Sequence, residues 1–219
     1  MQPSSATACT SSSEPFPARF LRTPALWYST RGGISVTESS EYLNDSAVVL
    51  AAQGHHAEAI ACLERAARLD PAHGVIWFNL ALSYRATGKL AEALSCLERA
   101  NELSPADSDV LDTLGVVQHE VGEDAGAEAS YHAALEVAPE NGRIWNNLGV
   151  LRFSQGRFED ARHAFEKAVA LIPDFEDALF NLRDAYDELG DERSRDICAE
   201  SLRALERRRE GGADEVKPS

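Results

Sequence analysis

The sequence predicts an all-α solenoid of about five antiparallel helix-turn-helix copies, and three observations carry that prediction. Glycine recurs at Gly54, Gly88, Gly122, Gly156 and Gly190, and proline at Pro71, Pro105, Pro139 and Pro173, both with a step of 34 residues. Ala66, Ala100, Ala134 and Ala168 keep the same step, as do Leu80, Leu114, Leu148 and Leu182. Between these markers the apolar residues are spaced by three and four, the signature of a helix with one buried face. A fixed period of this length means stacked copies of one supersecondary unit, each covering the apolar face of its neighbour.

The copies run 40–73, 74–107, 108–141, 142–175 and 176–209, and the second shows why each element forms. Val75, Phe78, Leu80, Ala81, Leu82 and Tyr84 mark a first helix that ends at Thr87-Gly88. Glycine supplies the left-handed residue that closes such a helix. Leu90, Ala93, Leu94, Leu97 and Ala100 mark the second helix, and Pro105 follows where the chain must turn. Ala93 and Ala100 are small because the two helices of a hairpin cross there, and a larger side chain would force them apart.

The fifth copy departs from this plan. Its first helix keeps Leu179, Leu182, Tyr186 and Gly190, but its second has Arg195 at a small-residue place and no closing proline. That helix is expected from Asp191 to about Arg209, with Ile197, Cys198, Leu202 and Leu205 on one face and arginines on the remainder. A polar outer face on the last helix keeps a solenoid soluble, so this helix reads as the C-terminal cap. Residues 210–219 read as a flexible tail.

Residues 1–37 have a different composition, with seven Ser, five Thr and four Pro, and Glu14 as their single acid against Arg19, Arg22 and Arg31. The expectation is a disordered extension, or a start that is not used, with an organellar transit peptide as the alternative. Phe16, Phe20, Leu26, Trp27 and Tyr28 offer apolar groups for docking, including onto the chain's own first copy.

Charge and cysteine usage bound the function. With 21 basic and 36 acidic residues the net charge is −15, which disfavours nucleic acid and anionic membrane as partners. No apolar run is long enough for a membrane span. Cys62, Cys96 and Cys198 fall on the same place of their copies, where Ser130 and Ala164 stand in the others. That pattern asks for a small packing residue rather than a disulfide, and it suits a reducing compartment, with cytoplasmic location expected. The histidines make no metal-ligand spacing with Cys or acid, and no Gly-rich loop follows a strand. No enzyme, metal site or cofactor is expected.

The layout Trp77, Leu80-Ala81, Tyr84, Gly88, Ala93, Leu97, Ala100 and Pro105 resembles the tetratricopeptide repeat. So does Trp145, Leu148-Gly149, Gly156, Ala161, Phe165, Ala168 and Pro173, and the other copies match in phase over roughly residues 40–205. The resemblance implies a right-handed superhelix whose concave groove, lined by the first helices, binds an extended or helical peptide. It also implies that groove residues come from places 2, 5, 6, 9, 12 and 13 of each copy. Place 6 holds Asp45, Asn79, Thr113, Asn147 and Asn181. An amide both donates and accepts, so a row of Asn can hold a peptide backbone; the alternative is a polar residue that serves a neighbouring helix. The remaining places give Phe78, Leu82, Val116, Val150 and Phe180 as apolar contacts, with Asp109, Asp112 and Asp184 among the acids and Arg85 and Arg143 as the cations.

This pattern predicts a non-enzymatic scaffold or adaptor for a basic or amphipathic segment of a partner protein. The basic residues a carboxylate clamp would need do not converge, since Arg85 and Arg143 are separated by an acidic copy. Two other readings stay open. One is head-to-tail self-association of the Arg-rich last helix with the acidic first copy, and the other is an organellar assembly factor.

Overall fold

A computed structural model describes residues 39–214, with side chains to residue 210. The described residues form ten α-helices and no strand: α1 (Ser40–Ala52), α2 (His56–Leu69), α3 (Gly74–Ala86), α4 (Leu90–Leu103), α5 (Ser108–Glu120), α6 (Asp124–Val137), α7 (Gly142–Ser154), α8 (Phe158–Leu171), α9 (Glu176–Glu188) and α10 (Glu192–Asp214). They fall into two compact units, divided between Lys89 and Leu90. In the first unit α1 packs on α2, and α3 packs on both. In the second, α5 pairs with α6, α7 with α8 and α9 with α10, while α5, α7 and α9 also touch in sequence as neighbouring first helices.

The glycine ladder does what its spacing predicts. The five ladder glycines have φ between 71° and 84°. At each, two backbone bonds close the helix, as where Gly88 N–H donates to Arg85 O and Lys89 N–H reaches back to Tyr84 O. This double closure satisfies carbonyls that would otherwise be orphaned at the helix end. Helix starts are set by polar side chains where the sequence offers them. Asp107 accepts from the backbone N–H of Asp109 and Val110, Asn141 from Arg143, and Ser39 from Tyr42.

The core is made of the predicted ladders. Ala66, Ala100, Ala134 and Ala168 have no exposure, and Leu80, Leu114, Leu148 and Leu182 are all buried. Tryptophan at place 4 ties one copy to the one before it. Trp77 Nε1 donates to Pro71 O at 3.0 Å, and Trp145 Nε1 to Pro139 O at 2.9 Å. Where a first helix carries glycine at place 8, a ring fills the space. A Cβ on Gly115 would stand 2.7 Å from Tyr131 Cε1, and one on Gly149 would collide with Phe165 Cε1.

Cys96 and Cys198 are buried, Cys62 is half-buried, and all three are free thiols. Burial pushes the Cys198 thiol up, which keeps it protonated and apolar in character. Cys9 and the apolar residues of 1–37, together with the extension or transit-peptide expectation for that segment, lie outside the described residues.

The last helix corrects two expectations. α10 continues to Asp214, past the expected end at Arg209, so the tail expected at residue 210 begins as helix. No proline stands in its path before Pro218, and extending a formed helix is cheap compared with starting one. Ile197 does not share the buried face of Cys198 but is 59% exposed. Adjacent helix positions lie 100° apart, so burying Cys198 turns Ile197 outward. Some arginines of α10 pair within their own unit: Arg195 binds Asp187 at 3.0 Å, and Arg209 binds Glu176 at 2.9 Å.

Candidate functional site

The asparagines at place 6 reach neighbouring helices before they reach anything else. Asn79 Nδ2 donates to Asn44 Oδ1 at 2.8 Å between α3 and α1. Asn147 Nδ2 donates to Asp112 Oδ1 at 2.9 Å between α7 and α5, and Asn181 Nδ2 to Asn146 Oδ1 at 2.9 Å between α9 and α7. In every case the donor stands at place 6 and the acceptor at place 5 of the preceding copy, 35 residues earlier. The row is thus a set of inter-helix bonds. Asn79 is only 3% exposed and Asn44 8%, so this pair sits too deep to hold a bound chain. Asn147 and Asn181 are half-buried and spend one N–H each, which leaves a second N–H and the carbonyl oxygen on each amide without a partner among the described residues.

Place 5 explains the apolar residues. Asn44, Phe78 and Asn146 are all buried there, which assigns Phe78, 4% exposed, to the core rather than to a pocket. Phe180 occupies the same place in the last copy and is 45% exposed, because no later first helix covers it. The Arg183 guanidinium lies 3.9 Å from the centre of its ring and binds Asp184 at 2.7 Å. Val116 and Val150 are half-buried against the core clusters of the second unit.

The candidate residues therefore divide. Asn79, Phe78, Leu82 and Arg85 belong to the first unit, on α3. Asp109, Asp112, Val116, Arg143, Asn147, Val150, Phe180, Asn181 and Asp184 belong to the second and lie on α5, α7 and α9. Arg143 is exposed at the start of α7, while Asp109 and Asp112 are half-buried on α5. Asp187, paired with Arg195, continues the acidic side of α9.

The ties on the other flank of these helices were not read from the sequence. Glu128 on α6 accepts from Arg157 Nη1 at 3.0 Å and from Arg152 Nε at 3.4 Å, and the Arg157 bond holds its carboxyl below the usual range. Asp124 accepts from Gln155 and bonds His119 at 2.8 Å; that bond to His119 lowers its pKa most. Tyr186 donates to Glu166 at 2.8 Å, as Tyr84 does to Glu64 at 2.7 Å. Burial, then the bond to Glu166, pushes the Tyr186 phenol up to about 12. Burial alone would raise Glu166, but the bonds from Tyr186 and Arg162 hold it low. The signal for these ties was present as tyrosine at place 11 and glutamate 20 residues earlier.

A depression of about 510 Å³ lies beside α7 and α8, lined by Trp145, Arg152, His163, Glu166 and Lys167. Its charged groups are largely engaged with Glu128, Arg162 and Tyr186. Among the described residues no three His, Cys, Asp or Glu side chains converge as a metal site, and no helix is long and apolar enough to cross a membrane.

Two tetratricopeptide repeat models match the chain, one over residues 50–115 and the other over 122–191. A search of the curated proteins found no match. Among solved structures, MamA from Desulfovibrio magneticus RS-1 superposes with a TM-score of 0.69 at 18% identity, covering 77% of this chain and 95% of that one. MamA MSR-1 gives a TM-score of 0.63 at 24% identity, covering 77% and 97%. Cut9, in the hetero-tetramer Cut9-Hcn1 of the APC/C, gives 0.68 at 18% identity, covering 76% of this chain and 33% of that one. Identities this low establish the shared fold and nothing finer. With the repeat models spanning most of the helical region, the chain belongs to the tetratricopeptide repeat family.

Proposed function

We propose that the protein is a non-enzymatic interaction scaffold, and that the α5–α7–α9 side of its second unit holds a basic or amphipathic segment of a partner protein. The exposed ring of Phe180 carries this reading. A phenylalanine at a place where three of the other four copies bury their side chain, with Asp177 and Asp184 one turn to either side and Arg183 against its ring, offers an apolar anchor on a largely acidic helix face. Apolar anchors of this kind supply most of the energy of an interface, and surrounding charge sets partner choice and encounter rate. Val116 on α5 and Val150 on α7 add half-buried apolar groups, and the amide groups that Asn147 and Asn181 still have available can bond a peptide backbone. The Cut9-Hcn1 assembly supports a protein partner in general terms.

Affinity in the micromolar range, about −8 kcal/mol, is expected for a segment held this way. The test is affinity capture with the full chain, followed by the same capture with Phe180→Ser and with Asp177→Lys/Asp184→Lys. Loss of the same partners in both variants, with helicity unchanged, is the expected result. Equal capture by wild type and both variants would remove this side of the protein from recognition. Head-to-tail self-association gains no support, because Arg195 and Arg209, two of the cations it requires, are bound to acids of their own unit.

A further inference from the structure

The stripe formed by places 3, 7 and 10 of each first helix behaves differently in α1. In α7 that stripe is Ile144, Leu148 and Leu151, each with no exposure, and in α3, α5 and α9 no stripe residue is more than 6% exposed. In α1 it is Tyr42, Ser46 and Val49, with Tyr42 58% and Val49 47% exposed. The second helix of the preceding copy packs against the later first helices, as α2 packs on α3, α6 on α7 and α8 on α9. What precedes α1 in the chain is residues 1–38.

We propose that the segment around residues 16–36 covers this stripe and closes the first end of the array. The segment carries the apolar groups such a cover needs, in Phe16, Phe20, Leu26, Trp27 and Tyr28. Its charge is complementary: the segment carries Arg19, Arg22 and Arg31, and α1 carries Glu41 and Asp45. Reach is sufficient, since the eleven residues from Tyr28 to Ser39 span up to roughly 35 Å extended, against roughly 20 Å for the length of α1. Tethering also keeps the segment at high local concentration, so a modest apolar contact is enough. A second copy is the poorer occupant. Two α1 faces brought together would oppose Glu41 and Asp45 to themselves, and like charges in contact oppose association.

Trypsin cleavage of the folded full chain after Arg22 and Arg31 reads the docking directly. With Tyr42→Ser/Val49→Ser, which removes exposed groups and leaves the fold intact by circular dichroism, cleavage at both sites should accelerate about tenfold, following the population of the undocked form. In the wild type the protection should be independent of protein concentration. A second variant, Trp27→Ser/Tyr28→Ser, should speed hydrogen exchange in the peptide that spans α1. Unchanged cleavage in the first variant overturns the proposal, and so does unchanged exchange in the second. Protection that rises with concentration together with a doubled mass overturns it in favour of a second copy.

Discussion

Gly149 and Phe165 set each other's size, and replacing them singly and together measures how strongly. A Cβ on Gly149 would collide with Phe165 Cε1 and stand 2.6 Å from Cδ1, and Phe165 is 1% exposed, so the ring has no free space to enter. Carbon atoms in contact sit at about 3.5–4 Å, so the ring must retreat by about 1 Å. Overpacking of this order costs about 1–3 kcal/mol, and alanine returns about 1 kcal/mol of helix propensity. Gly149→Ala is therefore expected to destabilise by about 1–2 kcal/mol in net terms. Phe165→Leu removes part of a buried ring and costs about 1–2 kcal/mol by itself. Together the new methyl group occupies the space the ring has left. Ala47 and Leu63 hold these same two places in the first copy, so the pair already exists in this chain. The double variant should lie close to wild type, with a coupling energy of about 2 kcal/mol. Urea unfolding reads this from the midpoints, provided the slopes stay equal. Additivity within about 0.5 kcal/mol would refute the reasoning. So would a Gly149→Ala protein more stable than wild type.

Asn79→Ala should destabilise by about 1–3 kcal/mol, because Asn44 Oδ1 is left buried without its donor; adding Asn44→Ala should cost less than the sum, measured by the same unfolding series. Ser83→Ala should be neutral or stabilising by about 1 kcal/mol, since the Ser83 hydroxyl is buried with no partner among the described residues; a melting temperature that falls by several degrees would count against this. Acid stability follows from Glu128 and Asp124, whose carboxyls are held low by their partners. Depressed folded-state values add stability above the unfolded carboxylate range of about 4, and that stability is lost as pH falls from there through the folded values. Glu128→Gln should therefore narrow the stability gap between pH 7 and pH 3, as read by unfolding midpoints at each pH.

What the sequence made legible follows from what a period can encode. Place by place comparison marks residues that must be the same in every copy, and the turn glycines, the small alanines and the cysteines behave as that comparison says. It is weaker where two places compensate. Glycine at place 8 goes with Tyr131 or Phe165 at place 24 and alanine with Leu63, so the residue type changes while the summed side-chain size is nearly kept. The amide row follows the same logic at larger spacing. Asn79, Asn147 and Asn181 look like a ligand-facing ladder when place 6 is read alone, and become inter-helix bonds once place 5 of the preceding copy is read beside them. A polar pair separated by one period plus one residue was the visible signal.

The ends of the array are where periodic reasoning fails for a physical reason: a copy there has one neighbour instead of two. Phe180 would be core if another first helix followed, and Tyr42 and Val49 would be core if another copy preceded them. Composition alone does not separate Phe78, buried at place 5, from Phe180, exposed at the same place. Only position in the stack does. The conserved places build the scaffold, the compensating pairs tune it, and the uncovered ends leave apolar surface free for a partner or for the chain's own preceding segment. On the function proposed above, recognition would depend less on an invariant site than on which apolar groups, such as Phe180, the neighbouring copies leave uncovered.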